Sequence, residues 1–205
     1  MIKKITIPEH IGEITLGQYQ KFNELNKRTD LSELDYNKRV IATFTELKHR
    51  EVGMIPHKEY ESILKLIIEA MDKDVKFEHR FKIGDVEFGF LPNLDEMSTG
   101  EFVDLKEYGI DIENFHKLMA ILFRPITNKD GLGGYEVMNY EGTKKYAEIM
   151  KRMPMNLVNG ALVFFSNLAK ELRVHIQRST VQAQQREIKQ QTILANGDGI
   201  QASLN

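Results

Sequence analysis

The chain has 205 residues, 41% hydrophobic and 28% charged, enough for one soluble domain with a sizeable core or for one domain plus an appendage. The formal net charge of −2 supplies no overall pull toward nucleic acid, and the absence of cysteine excludes disulfides and thiolate metal sites and suits a reducing cytosol. The start, Met1-Ile2-Lys3-Lys4, has neither the apolar stretch nor the cleavage site of a signal peptide. The run from Leu157 to Leu168 is interrupted by Asn159, Ser166 and Asn167, so it reads as a buried helix rather than a membrane span.

In chain order, Ile2 to Ile7 alternates briefly and stops at Pro8, compatible with a strand added to a sheet elsewhere. Thr15 and Gln18 form a capping box, with Ile14 and Tyr19 as a hydrophobic staple. They predict a helix from Leu16 to about Arg28, with Leu16, Tyr19, Phe22 and Leu25 on one stripe. Tyr36 to Leu47 predicts a second amphipathic helix, with Val40, Phe44 and Leu47 together, and Arg50 to Pro56 a connection. Pro56 opens a third helix as a first-turn proline, and Tyr60, Ile63, Leu64, Ile67, Ile68 and Met71 give it a wide core face.

The stretch from Val75 to Tyr108 organises the rest. Val75, Phe77, Phe81 and Ile83 alternate before Gly84-Asp85, and Val86, Phe88 and Phe90 alternate after it. Two such runs about a two-residue glycine turn predict a β-hairpin over 75–91, pairing Ile83 with Val86, Phe81 with Phe88 and His79 with Phe90. The apolar face needs a cover, while Lys76, Glu78, Arg80, Lys82 and Glu87 face water. Ser98 and Glu101 form a second capping box, with Met97 and Phe102 as its staple, for a helix ending at Gly109. Asp111 starts a further helical segment. Phe115 to Phe123 is apolar enough to be buried, and Arg124-Pro125 ends it.

Thr127 to Tyr135 reads as a glycine-rich surface loop, Tyr135 to Tyr140 as strand or turn, and Thr143 to Arg152 as a basic helix stopped by Pro154. Asn156 is placed to cap the longest helix, whose spacing runs through Leu157, Val158, Ala161, Leu162, Phe165, Leu168, Ala169, Leu172 and Ile176. Beyond Ile176 come six glutamines within Gln177 to Gln191, with few apolar residues to bury. The expected fold is therefore α+β, mainly α: one globular domain over 1–176 with a small antiparallel sheet (75–91, with 2–7 as a candidate strand). A long projecting C-terminal helix and a polar extension over 177–205, docked on a partner or flexible, complete it.

Chemical motifs are scarce. The six histidines form no i, i+4 pair and no HExxH helix, and neither a P-loop nor a G-x-S-x-G elbow occurs. Gly131-Leu132-Gly133-Gly134 lacks the third glycine of a dinucleotide fingerprint. An EF-hand aligned on Gly131 would put Ile126 and Val137 at ligand positions. Asp95, Glu96 and Asp104 read as a solvated acidic face, Glu101 being explained by its cap. His79, on the apolar face of the hairpin, reads as an edge residue; His116, beside the buried helix, is the one named candidate for a titratable site. No cofactor or metal is expected.

Charge is unevenly distributed. Gly84 to Leu118 holds nine carboxylates against two lysines, a net of −7, whereas Gly142 to Lys189 holds nine basic residues against three acidic, a net of +6. Opposed patches read as two solvated faces or as complementary docking, within the chain or head-to-tail between copies. Arg173, Gln177, Arg178, Gln182, Gln185, Arg186 and Lys189 are the candidate partner-binding residues of the C-terminal arm.

The sequence also resembles a family. Ile14-Thr15-Leu16-Gly17-Gln18-Tyr19-Gln20 comes first, then Phe88-Gly89-Phe90-Leu91-Pro92-Asn93-Leu94-Asp95 and Thr99-Gly100-Glu101-Phe102-Val103-Asp104-Leu105. His116-Lys117-Leu118-Met119-Ala120-Ile121-Leu122-Phe123-Arg124-Pro125 and Gly160-Ala161-Leu162-Val163-Phe164-Phe165 follow. This order of words resembles poorly characterised proteins of tailed bacteriophages of Bacteroidetes and marine bacteria, including the crAss-like group, over residues 13–172. The resemblance carries over no active-site residue. It implies a non-catalytic virion structural protein, in the portal–neck–tail assembly or inside the head. Such a protein would be oligomeric or multi-copy, located in the virion and in host cytoplasm during assembly. Its partners would be other phage structural proteins, with no direct nucleic acid and no membrane. The alternatives are a non-virion tail assembly chaperone, and a small ligand-binding module or enzyme.

Overall fold

Helices begin where a side chain can satisfy the first free N–H groups. In the computed structural model, which describes residues 5–72, 77–91, 97–109 and 111–167, Thr15 and Gln18 close the expected box and start α1 (Leu16–Asn26). Ser32 caps α2 (Glu33–Thr45) through the Asp35 N–H, three residues earlier than periodicity alone placed it, and Glu46 ends α2 in the left-handed region at φ 58°. The expected connection after it contains a short helix, α3 (His49–Val52). Pro56 stands one place earlier than expected, as the extended cap of α4 (His57–Met71), because its ring leaves its own ψ free to be 139°.

The hairpin has the expected register. β1 (Arg80–Ile83) pairs antiparallel with β2 (Val86–Phe90), Ile83 opposite Val86 and Phe81 opposite Phe88, about Gly84 at φ 60°. The Phe90 N–H donates to the His79 carbonyl at 2.8 Å, continuing the ladder. Val75 and Lys76 lie outside the described residues. Ser98 and Glu101 open α5 (Thr99–Tyr108), which stops at Gly109 as the sequence predicts. Asp111 starts a 3-10 turn, Ile112–Asn114, that leads into α6 (Phe115–Leu122).

The third strand is not the N-terminal stretch. Ile5 to Ile7 carry no strand, and residues 2–4 lie outside the described residues. Instead α6 passes without a loop into β3 (Phe123–Lys129), which pairs with β2, and β4 (Tyr135–Val137) pairs with β3. The sheet is antiparallel in the order β1-β2-β3-β4. Pro125, which ends the helix, is tolerated inside β3 because its missing N–H falls at the end of β4. Its carbonyl still accepts from Met138 N–H at 2.9 Å. α7 (Lys144–Met150) and α8 (155–167) follow. Asn156 lies inside the first turn of α8 and not at its cap, and its Oδ1 is buried without a hydrogen bond to a described residue.

The fold is thus a mainly helical α+β arrangement. One face of the sheet is aromatic: the Phe81 and Phe88 rings stack at 5.7 Å, Phe123 meets Phe81 at 5.1 Å and Phe90 at 5.2 Å, and Tyr146 of α7 covers Phe88 edge-on. α6 is the centre of the core, with Leu118 to Phe123 all at most 2% exposed. Two expected core positions face water instead: Val86, at the turn end of β2 before β3 begins to pair with it, and Ile68, because α4 packs on α2 with the narrower stripe Tyr60, Ile63, Ile67 and Ala70. The staple at α5 also differs, since Phe102 is exposed.

Two compact units divide the chain, Met1–Ala161 and Leu162–Asn205. Of the second, 162–167 are described; they are helical, with Val163 and Phe164 exposed. The boundary expected at 176/177 and the projecting part of the C-terminal helix lie outside the described residues. Among the described residues no helix is long and apolar enough to cross a membrane.

Candidate functional site

Helix α5 buries the wrong kind of residue for a surface helix. Its one fully buried side chain is a carboxylate, Glu101, while Phe102 and Val103 are each 53% exposed. Glu101 divides its oxygens. Oε2 accepts the Ser98 N–H at 2.6 Å, closing the cap, and Oε1 lies 3.0 Å from Nη2 of Arg124 on β3. Both side chains are at least nine-tenths buried. The pair is an ion pair more than a hydrogen bond, since Glu101 Oε1 and Arg124 Nε have no hydrogen-bond partner of good geometry. Burial pulls the Arg124 pKa down, and Glu101 and Tyr140 pull it back up. One turn along, Asp104 Oδ2 accepts the Tyr140 hydroxyl, and burial together with Asp104 raises the Tyr140 pKa above its ordinary value. On the α6 side, the Lys117 ammonium sits 4.6 Å from the centre of the Tyr108 ring.

The β3–β4 hairpin forms a braced prong. The Tyr135 ring packs against Gly89, where a Cβ would come within 2.3 Å of it, and its hydroxyl donates to the Phe90 carbonyl at 2.7 Å. Lys129 Nζ meets Glu87 Oε2 at 2.5 Å, tying the hairpin to β2 and holding the Glu87 carboxyl below its usual range. At the tip, Asp130 Oδ1 accepts from the N–H groups of Leu132 and Gly134 at 2.9 and 2.6 Å. The glycine-rich loop therefore closes on itself as an Asx turn, with Leu132 99% exposed.

His116 is explained by structure. Its Nδ1 lies 3.0 Å from Gln20 Nε2, which also donates to the Ile112 and Glu113 carbonyls. Burial, then Lys151, lowers its pKa. His79 packs edge-on against Phe77 and Phe90 at the sheet margin. A groove of about 690 Å³ between α1 and α2 carries Lys21, Arg39 and His49 among Glu24 and Glu46, a mixed-charge rim away from both histidines. Among the described residues no three His, Asp or Glu side chains come together to hold a metal ion.

The seven candidate partner-binding residues, Arg173, Gln177, Arg178, Gln182, Gln185, Arg186 and Lys189, lie outside the described residues. In the acidic stretch, Glu101 faces Arg124, Glu113 faces Lys27 and Glu87 faces Lys129; these partners all lie outside the basic stretch from Gly142 to Lys189. The Glu101–Arg124 pair escaped sequence reading because capping already accounted for Glu101. The available signal was Arg124 itself, a single charge at the end of the apolar run from Leu118 to Phe123. Comparison with protein-family models, curated proteins and solved structures finds no match for this chain.

Proposed function

We propose that this chain is a non-catalytic structural component of a tailed-phage particle, present in several copies and working through protein–protein contacts in the portal–neck–tail assembly or inside the head. The observation that carries the contact role is the outward presentation of large apolar side chains. Phe102 and Val103 on α5 and Leu132 on the braced prong are offered to a neighbour while nearby charges are paired inward. Large apolar groups exposed at a surface gain by being covered on association, which favours their use as contact anchors. The phage setting rests on the resemblance in word order, whose segments fall on fold-making positions: the Thr15 cap, β2, the start of α5 and the α6–β3 passage.

Quantitative mass spectrometry of purified particles of the encoding virus tests the proposal. The full chain is expected at a fixed copy number per particle. A chain truncated after residue 176 should keep the fold of Met1–Ala161 and be missing from particles. Particles without the full chain, combined with a soluble complex between it and a tail protein, would move the assignment to an assembly chaperone.

A further inference from the structure

α5 and α6 are neighbours, but different forces hold them. Lifting a helix off a protein costs free energy in proportion to the apolar surface uncovered and the polar contacts broken. For α5 the apolar part is small: Phe102 and Val103 are already in water, and Leu105 and Tyr108 are half-buried. The polar part is largely offset by hydration. Separated Glu101 and Arg124 regain the water that burial removed, and Glu101 Oε1 and Arg124 Nε, without hydrogen bonds in the docked state, find partners in solvent. The Asp104–Tyr140 bond and the Lys117–Tyr108 contact are likewise exchanged for water. The capping box between Ser98 and Glu101 is internal to α5 and its cap, but a helix of ten residues is marginal alone in water, so release also lets its amides exchange.

We propose that α5 is a polar-latched helix that lifts off the α6–β3 core as one unit while α6 and the sheet stay folded, with the Glu101–Arg124 pair setting how often it opens. Opening bares the Arg124 guanidinium and the Tyr140 hydroxyl, so a partner that grips Phe102 and Val103 could hold either state. The inference rests on how α5 is fastened and does not depend on the virion role.

Hydrogen–deuterium exchange of the full chain under native conditions tests it. A unit that lifts off gives one common protection along residues 102–109, roughly a hundredfold below that of 115–122. Fraying would instead give a gradient from the helix ends. Arg124→Met leaves Glu101 buried without its partner and should raise α5 exchange by roughly tenfold or more, with α6 unchanged. Glu101→Gln combined with Arg124→Met removes the stranded charge but keeps the Ser98 cap, and should slow α5 exchange again. If Arg124→Met does not fold, the wild-type profile alone decides. A single exchange rate shared by α5 and α6 would overturn the proposal, as would a double variant no slower than Arg124→Met.

Discussion

Two adjacent helices of similar length, α5 and α6, show opposite solutions to the same packing problem. α6 buries Phe115 and every residue from Leu118 to Leu122, leaving only His116 and Lys117, both half-buried, on its polar side, so it is a core element. α5 sends a carboxylate inward and two large apolar residues outward. The contrast teaches that position beside the core does not dictate burial by type. A charge goes inside when a fixed opposite charge awaits it, and Arg124 is fixed because the strand carrying it follows directly from α6. α6 therefore supplies both the core and, through β3, the anchor for its neighbour.

Three measurements sharpen the contrast beyond hydrogen exchange. Leu122→Ala, at a site with no exposure, should cost roughly 2–5 kcal/mol of unfolding free energy in chemical denaturation, because the cavity it leaves is shared by the whole core. Ser98→Ala removes the acceptor for the Glu101 N–H and should cost about 1 kcal/mol, with the loss of protection concentrated in α5. A Ser98→Ala effect spread evenly over α5 and α6 would erase the distinction between them. The smallest effect concerns pH, since His116 is only half-buried at the α1–α6 contact. Its folded pKa lies below the ordinary histidine value of about 6.5, so the unfolded chain takes up the proton first. Its contribution to stability is complete above that value and falls as pH drops through it. The denaturation midpoint should fall between about pH 7 and about pH 5, and less so in His116→Gln.

Much of the local architecture was legible. The Thr15 and Ser98 boxes, the stop at Gly109 and the hairpin register about Gly84 stand where the residues place them. The candidate interaction surface was far less legible. Glu101 was readable as a cap but not as half of a buried ion pair. Phe102 was readable as a staple but not as an exposed ring. Leu132 was placed in a surface loop, but the turn that the Asp130 carboxylate closes there was not read.

The sequence by itself determined features whose partners lie two to four residues away or directly across a tight turn, because helix caps and hairpin pairing are closed by the same short segment that carries their signal. Tertiary structure alone decided that β3, and not the N-terminal stretch, completes the sheet against β2, that Arg124 is internal and that Ile68 is external. Those outcomes depend on what lies opposite a side chain in space, and the partners concerned, such as Glu101 for Arg124, lie many residues away, beyond the reach of any periodicity.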